Sequence, residues 1–356
     1  MNSKQRVLSA FAFEAPDRVP IDYFSNPGID LQVKNHFGLA ADDHEGLKKI
    51  LGVDFRSAHA AYTGKPLHMQ VPNRRVDPLW GWHTREVEHD GGNYWDYCDF
   101  PLRDADLDQV EAWPMPSPDD YDYRIVRERC THFKEYAVNI GGAGLACIMN
   151  TAGFLRGMDQ MFVDLATEDP AGMRLIDRFI DIQFEIAQRE LEAAKGGFDF
   201  MWLGEDLGTQ AGPIISMEMF QKIIKPRHQR FIDLAKQYKL PVMIHTCGSS
   251  SWSYEEYIAM GMNAVDTLQP EAFGMDPATL KRKFGGRLAF HGCISTTGPL
   301  SFGTTEDVRK QVRDTLAIMT PGSGYMLSPT HSIQNNSPLE NVLAMYDEAH
   351  KAGKYR

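Results

Sequence analysis

Residues 241–250 read PVMIHTCGSS, a short apolar run that ends in a histidine, a threonine, a cysteine and a glycine. The run has the length and composition of a buried β-strand, and side chains two residues apart on an extended chain point to the same side. His245 and Cys247 are therefore expected to project together from the end of a strand. Imidazole nitrogen and thiolate sulfur both bind zinc, so the stretch predicts a metal site at a strand end.

Similar runs on both sides of this stretch predict the fold. Short β-prone runs alternate with amphipathic segments, which is the order of β/α units, and eight such runs match a closed (β/α)8 barrel, the TIM barrel. The predicted strands are 19–24, 55–62, 145–150, 198–203, 241–245, 264–268, 288–291 and 324–327.

Two stretches carry clear start signals for helices. Thr304, with Glu306 and Asp307 in the first turn, predicts the beginning of a helix. Ser337 followed by Pro338 predicts a second start, because serine caps helix ends and proline is favoured at the first helical position.

Between about 63 and 140 the alternation of strands and helices breaks. The stretch 74–102, RRVDPLWGWHTREVEHDGGNYWDYCDFPL, has three tryptophans and the pair Gly91-Gly92, and it predicts a β-hairpin with an aromatic face. We interpret 63–140 as an N-terminal, aromatic-rich insertion that caps one barrel end. Its aromatic side chains either pack structurally or line the pocket of a flat ligand. The whole chain, 1–356, is then a single barrel with this insertion.

Composition excludes several classes of protein. The net charge is −11, from 37 basic and 48 acidic residues, which does not suit a protein that grips nucleic-acid phosphates. No stretch approaches the roughly 18 to 20 apolar residues of a membrane span, and charges at Lys4 and Arg6 interrupt the N-terminus, so a cytoplasmic location is expected. Five cysteines are an odd number, which favours reduced thiols and metal ligation over a disulfide framework.

Strongly polar side chains follow five of the predicted strands. The C-terminal ends of parallel barrel strands meet at one mouth, where active sites of this fold lie. The mouth is therefore the predicted functional site. The side chains concerned are Glu205 and Asp206, His245 and Cys247, Gln269 and Glu271, His291 and Cys293, and Thr330 and His331.

A catalytic zinc usually has three protein ligands and one open position. His245 and Cys247 supply two of them, His331 is the preferred third, and Cys293 or His291 is the reserve. Each choice has a structural alternative: a lone His-x-Cys is more often a bonded histidine beside an inert thiol, and His291-Gly-Cys293 could be a packed barrel rim.

Two further groups have structural alternatives. Glu205 and Asp206 could be carboxylates at a helix start. The glycines of Gly141-Gly142-Ala143-Gly144 are interpreted as preceding a strand, which argues against a dinucleotide-binding loop.

At these residues the chain resembles the uroporphyrinogen decarboxylase family, in particular its branch of zinc-dependent, corrinoid-linked methyltransferases. The likeness lies in RVLSAFAFEAPDRVPID (6–22), GEDLGTQAGPIISMEMFQKIIKPRHQRFID (204–233), the region from IHTCG to FHGCIST (244–296) and GYMLSPTHSIQNNSPLENVLAMYDEAHKAGKY (324–355). The resemblance implies a TIM barrel with its site at the strand ends. It also implies zinc held by His-x-Cys and a later cysteine.

The chain departs from the family pattern in two places. Where the decarboxylases share an arginine-rich FMRQAGR segment, it has IDYFSNPGID (21–30), so the arginines that would pair with porphyrinogen carboxylates are absent. Where the methyltransferases place the later cysteine, it has Ser328-Pro329-Thr330-His331. Histidine in place of a thiolate makes a zinc site more positive, which favours an oxygen-bound methyl donor over a thiol acceptor.

These points predict a zinc-dependent methyltransferase that moves a methyl group between a small methylated substrate or acceptor and a corrinoid cofactor. No corrinoid-binding module is visible in the sequence, so a partner corrinoid-binding protein is expected to deliver the corrinoid. Zinc would be held by His245, Cys247 and His331. Glu205 or Asp206 would be the fourth ligand or would transfer protons.

The side chains Gln269, Glu271, His291 and Cys293 would contact substrate or support the site. One alternative is a metal-free lyase or decarboxylase that uses His331 or Asp206 as general acid. Another is a protein that binds a flat ligand against Trp80, Trp82 and Trp95 without catalysis.

Overall fold

The structure is a computed structural model that describes residues 1–89 and 92–355. Within these residues the strands are numbered β1 (Phe55–Ser57), β2 (Ala61–Tyr62), β3 (Arg75–Val76), β4 (His83–His89), β5 (Gly92–Cys98), β6 (Tyr121–Asp122), β7 (Ala137–Gly141), β8 (Phe200–Gly204), β9 (Val242–His245), β10 (Ala264–Leu268), β11 (Ala289–Ile294) and β12 (Tyr325–Pro329). The α-helices are α1 (Ser3–Phe11), α2 (Pro27–His36), α3 (His44–Leu51), α4 (Leu107–Ala112), α5 (Arg124–His132), α6 (Met149–Arg156), α7 (Met158–Thr167), α8 (Pro170–Ala194), α9 (Met217–Met219), α10 (Lys225–Gln237), α11 (Tyr254–Met260), α12 (Pro277–Phe284), α13 (Pro299–Phe302), α14 (Thr305–Met319) and α15 (Leu339–Ala352).

Seven strands form one curled parallel sheet in the order β1-β7-β8-β9-β10-β11-β12. Nearly every residue of β7 to β12 is buried, and these strands are rich in Val, Ile, Leu, Met and Phe, as expected for parallel strands covered on both faces. Helices connect most neighbouring strands. The chain is therefore a mixed α/β protein, and all seven C-terminal strand ends lie on one side of the sheet.

The segment 19–25 bonds to both edges of this sheet. Ile21 forms an isolated parallel bridge with Leu327 of β12, and the backbone N–H of Asp54, next to β1, donates to the Ile21 carbonyl at 2.9 Å. We predicted a strand at 19–24, but the segment has only isolated bridges. Pro20 has no N–H to donate, and the N–H of Tyr23 is bonded to the Asp22 side chain at 2.8 Å.

The predicted strand at 145–150 is wrong. The strand at this place in the sheet is β7, earlier in the chain, and residues 145–150 form a loop and the first turn of α6. A β-prone composition decides little where no partner strand is in reach, and here β1 and β8 pair with β7. The glycine run 141–144 therefore follows a strand, contrary to our interpretation.

The other strand and helix predictions are close to the structure. The runs at 198–203, 241–245, 264–268, 288–291 and 324–327 overlap β8 to β12, whereas 55–62 splits into β1 and β2, and β2 pairs with β6. Thr304 caps α14 and accepts a hydrogen bond from the N–H of Asp307. The start predicted at Ser337 and Pro338 is one residue early, because α15 begins at Leu339 with Pro338 as its N-cap. The predicted serine cap is wrong, since the Ser337 hydroxyl contacts that of Ser301 at 2.9 Å.

The predicted aromatic hairpin is present as β4 and β5, with β3 on its edge. Gly91 lies outside the described residues. The Tyr97 ring stacks on Phe154 of α6, with centroids 3.6 Å apart, and Trp80 packs against Phe179 of α8 at 4.7 Å. These contacts agree with structural packing of the aromatic side chains. The view of 63–140 as an insertion that caps a barrel stays a prediction.

None of the helices in the described ranges is long and apolar enough to cross a lipid bilayer.

Candidate functional site

Three side chains meet just beyond the ends of β8 and β9. One possible ligand atom from each of Asp206, His245 and Cys247 lies within 4.8 Å of the other two. His245 Nε2 is 3.3 Å from Cys247 Sγ and 3.8 Å from the nearer carboxylate oxygen of Asp206. We call these three residues the metal-ligand cluster, because imidazole, thiolate and carboxylate are the ligand types that zinc takes in proteins.

Hydrogen bonds from backbone and side-chain donors hold the cluster in place. The N–H of Cys247 donates to Asp206 Oδ1 at 2.9 Å, and Asn150 donates to the other oxygen of Asp206 at 2.8 Å. The next N–H, that of Gly248, donates to the buried Gln269 side chain. Gln269, a predicted substrate contact, thus fixes the turn that carries Cys247.

A buried carboxylate on the neighbouring strand orients His245. Asp266 Oδ2 lies 2.6 Å from His245 Nδ1, and its second oxygen lies 2.6 Å from Nδ1 of His291. A carboxylate accepts hydrogen bonds, so Nδ1 of His245 carries a proton, and Nε2 is the ring atom directed at Cys247 and Asp206. Metal-binding histidines in proteins are commonly held by a carboxylate in this way.

The charges of this network stabilise one another. Burial raises the pKa of Asp266, but the two imidazoles outweigh this effect and lower it to about 2. Burial lowers the pKa of His291, but Asp266 and Asp22 outweigh it and raise the pKa to about 9. For His245 the Asp266 carboxylate likewise overcomes burial and raises the pKa well above its usual range. Burial raises the pKa of the Cys247 thiol, and His245 opposes that change.

His291 gives a prediction for the pH dependence of stability. Below pH 6.5, the ordinary pKa of histidine, folded and unfolded chains both carry the proton and the stabilisation is complete; it is lost as the pH rises through about 9. The His291→Asn variant lacks this proton. We therefore expect the wild-type advantage in free energy of unfolding to fall by on the order of 3 kcal/mol between pH 6 and 9.

The measurement is urea unfolding of the metal-free wild type and variant across that pH range. A difference that stays constant would show that folding does not shift the pKa of His291, and one that grows with pH would show that folding lowers it.

A cavity of about 240 Å³ opens beside the cluster at the C-terminal ends of the strands. Its apolar wall includes Phe24, Trp202 and Pro329, and its polar wall includes Ser57, Asn139, Thr267, His245, Asp266 and His331. Among the described residues, no lysine or arginine lines it. The cavity suits a small ligand without several negative charges.

The structure places the predicted site residues in different environments. His331 lines the cavity together with His245, but it is exposed and is not part of the metal-ligand cluster. Glu205 is fully buried and accepts hydrogen bonds from the N–H groups of Ile148 and Met149 at 2.8 and 3.1 Å. Its carboxylate therefore caps the start of α6, which matches the helix-start alternative.

This capping also bears on the glycine loop. The N–H groups at the start of α6 that could bind a phosphate already bond to the Glu205 carboxylate. These contacts argue against a dinucleotide-binding loop, whereas the position of the glycines does not.

Three other predicted contacts lie apart from the cavity. His291 is fully buried beneath the cluster, and the buried Cys293 borders a different cavity, of about 600 Å³. Glu271 is exposed and accepts hydrogen bonds from the hydroxyls of Ser295 and Thr297 at 3.0 and 2.6 Å.

Sequence reasoning missed Asp266. A signal for it exists: it is the one charged residue in the strand AVDTL, and a carboxylate in a buried strand is costly unless a cation or donor meets it. The two neighbouring strands end in or contain histidines, which supply those partners.

Comparisons with known proteins bear on the family and the fold of the chain. A family profile described as uroporphyrinogen decarboxylase (URO-D) matches residues 99–352. Uroporphyrinogen decarboxylases of Actinobacillus succinogenes and Legionella pneumophila (strain Corby) are each 24% identical, over 71% and 70% of this chain and 70% and 69% of their own.

A methyltransferase is also among the relatives, and another protein of this kind is a neighbour in fold. The methylated-thiol–coenzyme M methyltransferase of Methanosarcina mazei is 25% identical over 56% of this chain and 50% of its own length. A solved structure of a methyltransferase from Methanosarcina mazei superposes with a TM-score of 0.63 over 99% of both chains at 16% identity, which is a likeness of fold.

Proposed function

The chain belongs to the uroporphyrinogen decarboxylase family, and we propose that it is a zinc-dependent methyltransferase that moves a methyl group between a small substrate and a corrinoid. The observation that carries the proposal is the metal-ligand cluster of Asp206, His245 and Cys247 at the C-terminal ends of the strands. We further propose that 1–356 forms one (β/α)8 barrel, in which segment 19–25 occupies the position of the eighth strand.

The cavity favours this reaction over porphyrinogen decarboxylation. A tetrapyrrole with many carboxylates needs several arginine or lysine partners, and the cavity wall offers none among the described residues. At about 240 Å³ the cavity also lies below the size range of common ligand pockets, so a smaller substrate suits it better.

The donor set fits zinc. Cys247 as a thiolate and Asp206 as a carboxylate would balance the two positive charges of the ion, and His245 would add a neutral Nε2 already oriented by Asp266. When bound there, zinc would act as a Lewis acid, which lowers the pKa of a substrate thiol or polarises the oxygen of a methyl ether. His331, the ligand expected from the sequence, is the alternative third ligand.

The third ligand decides the direction of the reaction. With Asp206 the site is neutral, which keeps a bound thiolate nucleophilic, so the charge argument for an oxygen-bound methyl donor holds only if His331 is the ligand.

Residues of the cavity would position the substrate. Phe24, Trp202 and Pro329 would cover its apolar part and exclude water, and the Ser57 hydroxyl, bonded to Asn139 at 2.9 Å, would offer a polar contact. His331, which lines the cavity, would exchange a proton with substrate. The cavity is too small for a corrinoid ring, so the corrinoid would act as a co-substrate, presented at the mouth by a partner protein.

The test is a methyl-transfer assay with free cobalamin. Zinc-loaded protein is incubated with cob(I)alamin and a panel of small methyl ethers and methyl thioethers, and separately with methylcobalamin and small thiols, while absorbance follows the cobalamin. We expect methyl transfer in one direction, dependent on zinc, and no decarboxylation of uroporphyrinogen. Decarboxylation that persists in a chelator, with no methyl transfer, would instead establish the metal-free lyase.

A further inference from the structure

We propose that Asp22 and His291 are positioning residues for the metal site, acting on His245 through Asp266; this inference rests on the proposed zinc function. His291 and Asp22 are 0% and 3% exposed, and neither lines the cavity, so a substrate held there does not contact them. Any effect they have on the metal must pass through the side chains between them and the cluster.

The contacts form one continuous line across the sheet. Asp22 Oδ2 lies 3.4 Å from His291 Nε2, which is an ion-pair contact without a hydrogen bond. Nδ1 of His291 lies 2.6 Å from Asp266, and Asp266 lies 2.6 Å from His245, both within hydrogen-bond distance. These residues come from segment 19–25, β11, β10 and β9 in turn. The line therefore connects the segment between the sheet edges to the strand that carries the cluster.

Each link is held from both sides. Asp22 cannot turn freely because its other oxygen accepts a hydrogen bond from the N–H of Tyr23 at 2.8 Å. Asp266 has one imidazole on each carboxylate oxygen, so rotating it toward either histidine would break the bond to the other. The plane of the Asp266 carboxylate, and with it the direction of His245 Nε2, is fixed by His291.

Packing alone does not account for this arrangement. The His291 ring is surrounded by the rings of Phe55, Trp202 and Phe24, with centroids 5.4, 5.5 and 6.4 Å away. An apolar side chain would suit these neighbours, whereas three buried ionisable groups carry a desolvation cost. The buried His228 lies outside this line: its Nε2 bonds to the backbone carbonyl of Ala146 at 3.1 Å and lies 3.7 Å from Glu205.

The experiment measures zinc affinity by competition with a chromophoric chelator. We expect Asp266→Asn to bind zinc about 10- to 100-fold more weakly than wild type, and His291→Leu about tenfold more weakly. His291→Asn keeps a donor at the position of Nδ1 but loses the contact with Asp22, so it should bind more weakly than wild type and more tightly than His291→Leu.

The double variant Asp266→Asn/His291→Leu should bind no more weakly than Asp266→Asn alone, because His291 acts through Asp266. In cobalt(II)-loaded protein, His291→Leu should alter the d–d bands and keep the thiolate charge-transfer band.

Asp199→Asn is the matched control. Asp199 is also buried, lies at the opposite end of β8 from Asp206, and pairs with Lys4 at 2.6 Å. It tests the general effect of losing a buried carboxylate, and its zinc affinity should not change.

Wild-type zinc affinity in folded His291→Leu, or additive losses in the double variant, would overturn the positioning role and leave the proposed function intact. If His291→Leu fails to fold, Asp22→Asn carries the test, because it keeps the shape of the side chain; unchanged affinity there would also overturn the role. Failure of the wild type to bind zinc would overturn the proposed function itself, and this inference with it.

Discussion

Replacing Cys247 by alanine is expected to weaken zinc binding by about 100- to 1,000-fold, the contribution of one ligand to a site of this kind. Cys247 supplies the only thiolate of the cluster, and water is a poor substitute for it at a borderline-soft ion. Zinc affinity and the metal content of purified protein, by plasma mass spectrometry, are the measurements. Cys293→Ala is the control, because that thiol is buried in the fold but lies outside the cluster.

Two further substitutions decide the third ligand. Asp206→Asn keeps an acceptor for the N–H of Cys247 while removing the negative charge, and His331→Ala removes the ligand expected from the sequence. We expect zinc affinity to fall by about 100-fold in Asp206→Asn and to stay unchanged in His331→Ala. A loss of zinc affinity in His331→Ala but not in Asp206→Asn would restore the ligand set His245, Cys247 and His331. Zinc with these ligands would have a net charge of +1.

The position of the site could be predicted because it depends on local patterns. Polar residues directly after apolar runs fall at strand ends, and parallel strands bring those ends to one side; five runs that overlap β8 to β12 were enough for this. His245 and Cys247 meet because they are two residues apart on one chain segment.

The partners of that pair could not be predicted, because they depend on how loops turn. Glu205 and Asp206 are adjacent in sequence, yet one caps α6 and the other joins the cluster. Gly204, just before them, passes so close to the Ala143 carbonyl that a Cβ there would lie 1.7 Å from its oxygen. Contacts between loops far apart in sequence leave no periodic signal.

The contacts of Asp266 with its two histidines, and the structure of segment 19–25, could not be predicted for the same reason. Asp266 pairs with histidines on two different strands, so its role becomes visible only once the strand order is known. In segment 19–25 the apolar pattern is that of a strand, but Pro20 and the bond between Asp22 and its neighbour remove the donors that a ladder needs.

Gly248, the residue after the cysteine, is where we expect the largest loss of stability. Its backbone has φ +68°, which side chains rarely adopt, and a Cβ there would lie 2.3 Å from the carbonyl oxygen of Gly208. Gly208 belongs to the loop that follows Asp206, so the two loops that carry the cluster pack backbone to backbone at this point. Alanine at 248 would have to push them apart.

We expect Gly248→Ala to lower the free energy of unfolding by about 3 to 5 kcal/mol, of which about 1 kcal/mol is the cost of the positive φ. Gly322→Ala isolates that smaller part, because Gly322 has φ +72° and an added methyl group there would meet no atom of the described residues within 4 Å. Urea unfolding of the metal-free proteins measures both. Equal losses in the two variants would mean that the loops can separate at little cost.

Zinc affinity distinguishes a local from a general effect of the same substitution. Separating the loops would break the bond from the N–H of Cys247 to Asp206 and the bond from Gly248 to Gln269, so Gly248→Ala should also bind zinc at least about tenfold more weakly. Gly322→Ala should bind zinc as wild type does. If Gly248→Ala were destabilised but bound zinc normally, the close packing of the loops would serve the fold alone, and the geometry of the cluster would rest on Asp206, Asp266 and the strand ends.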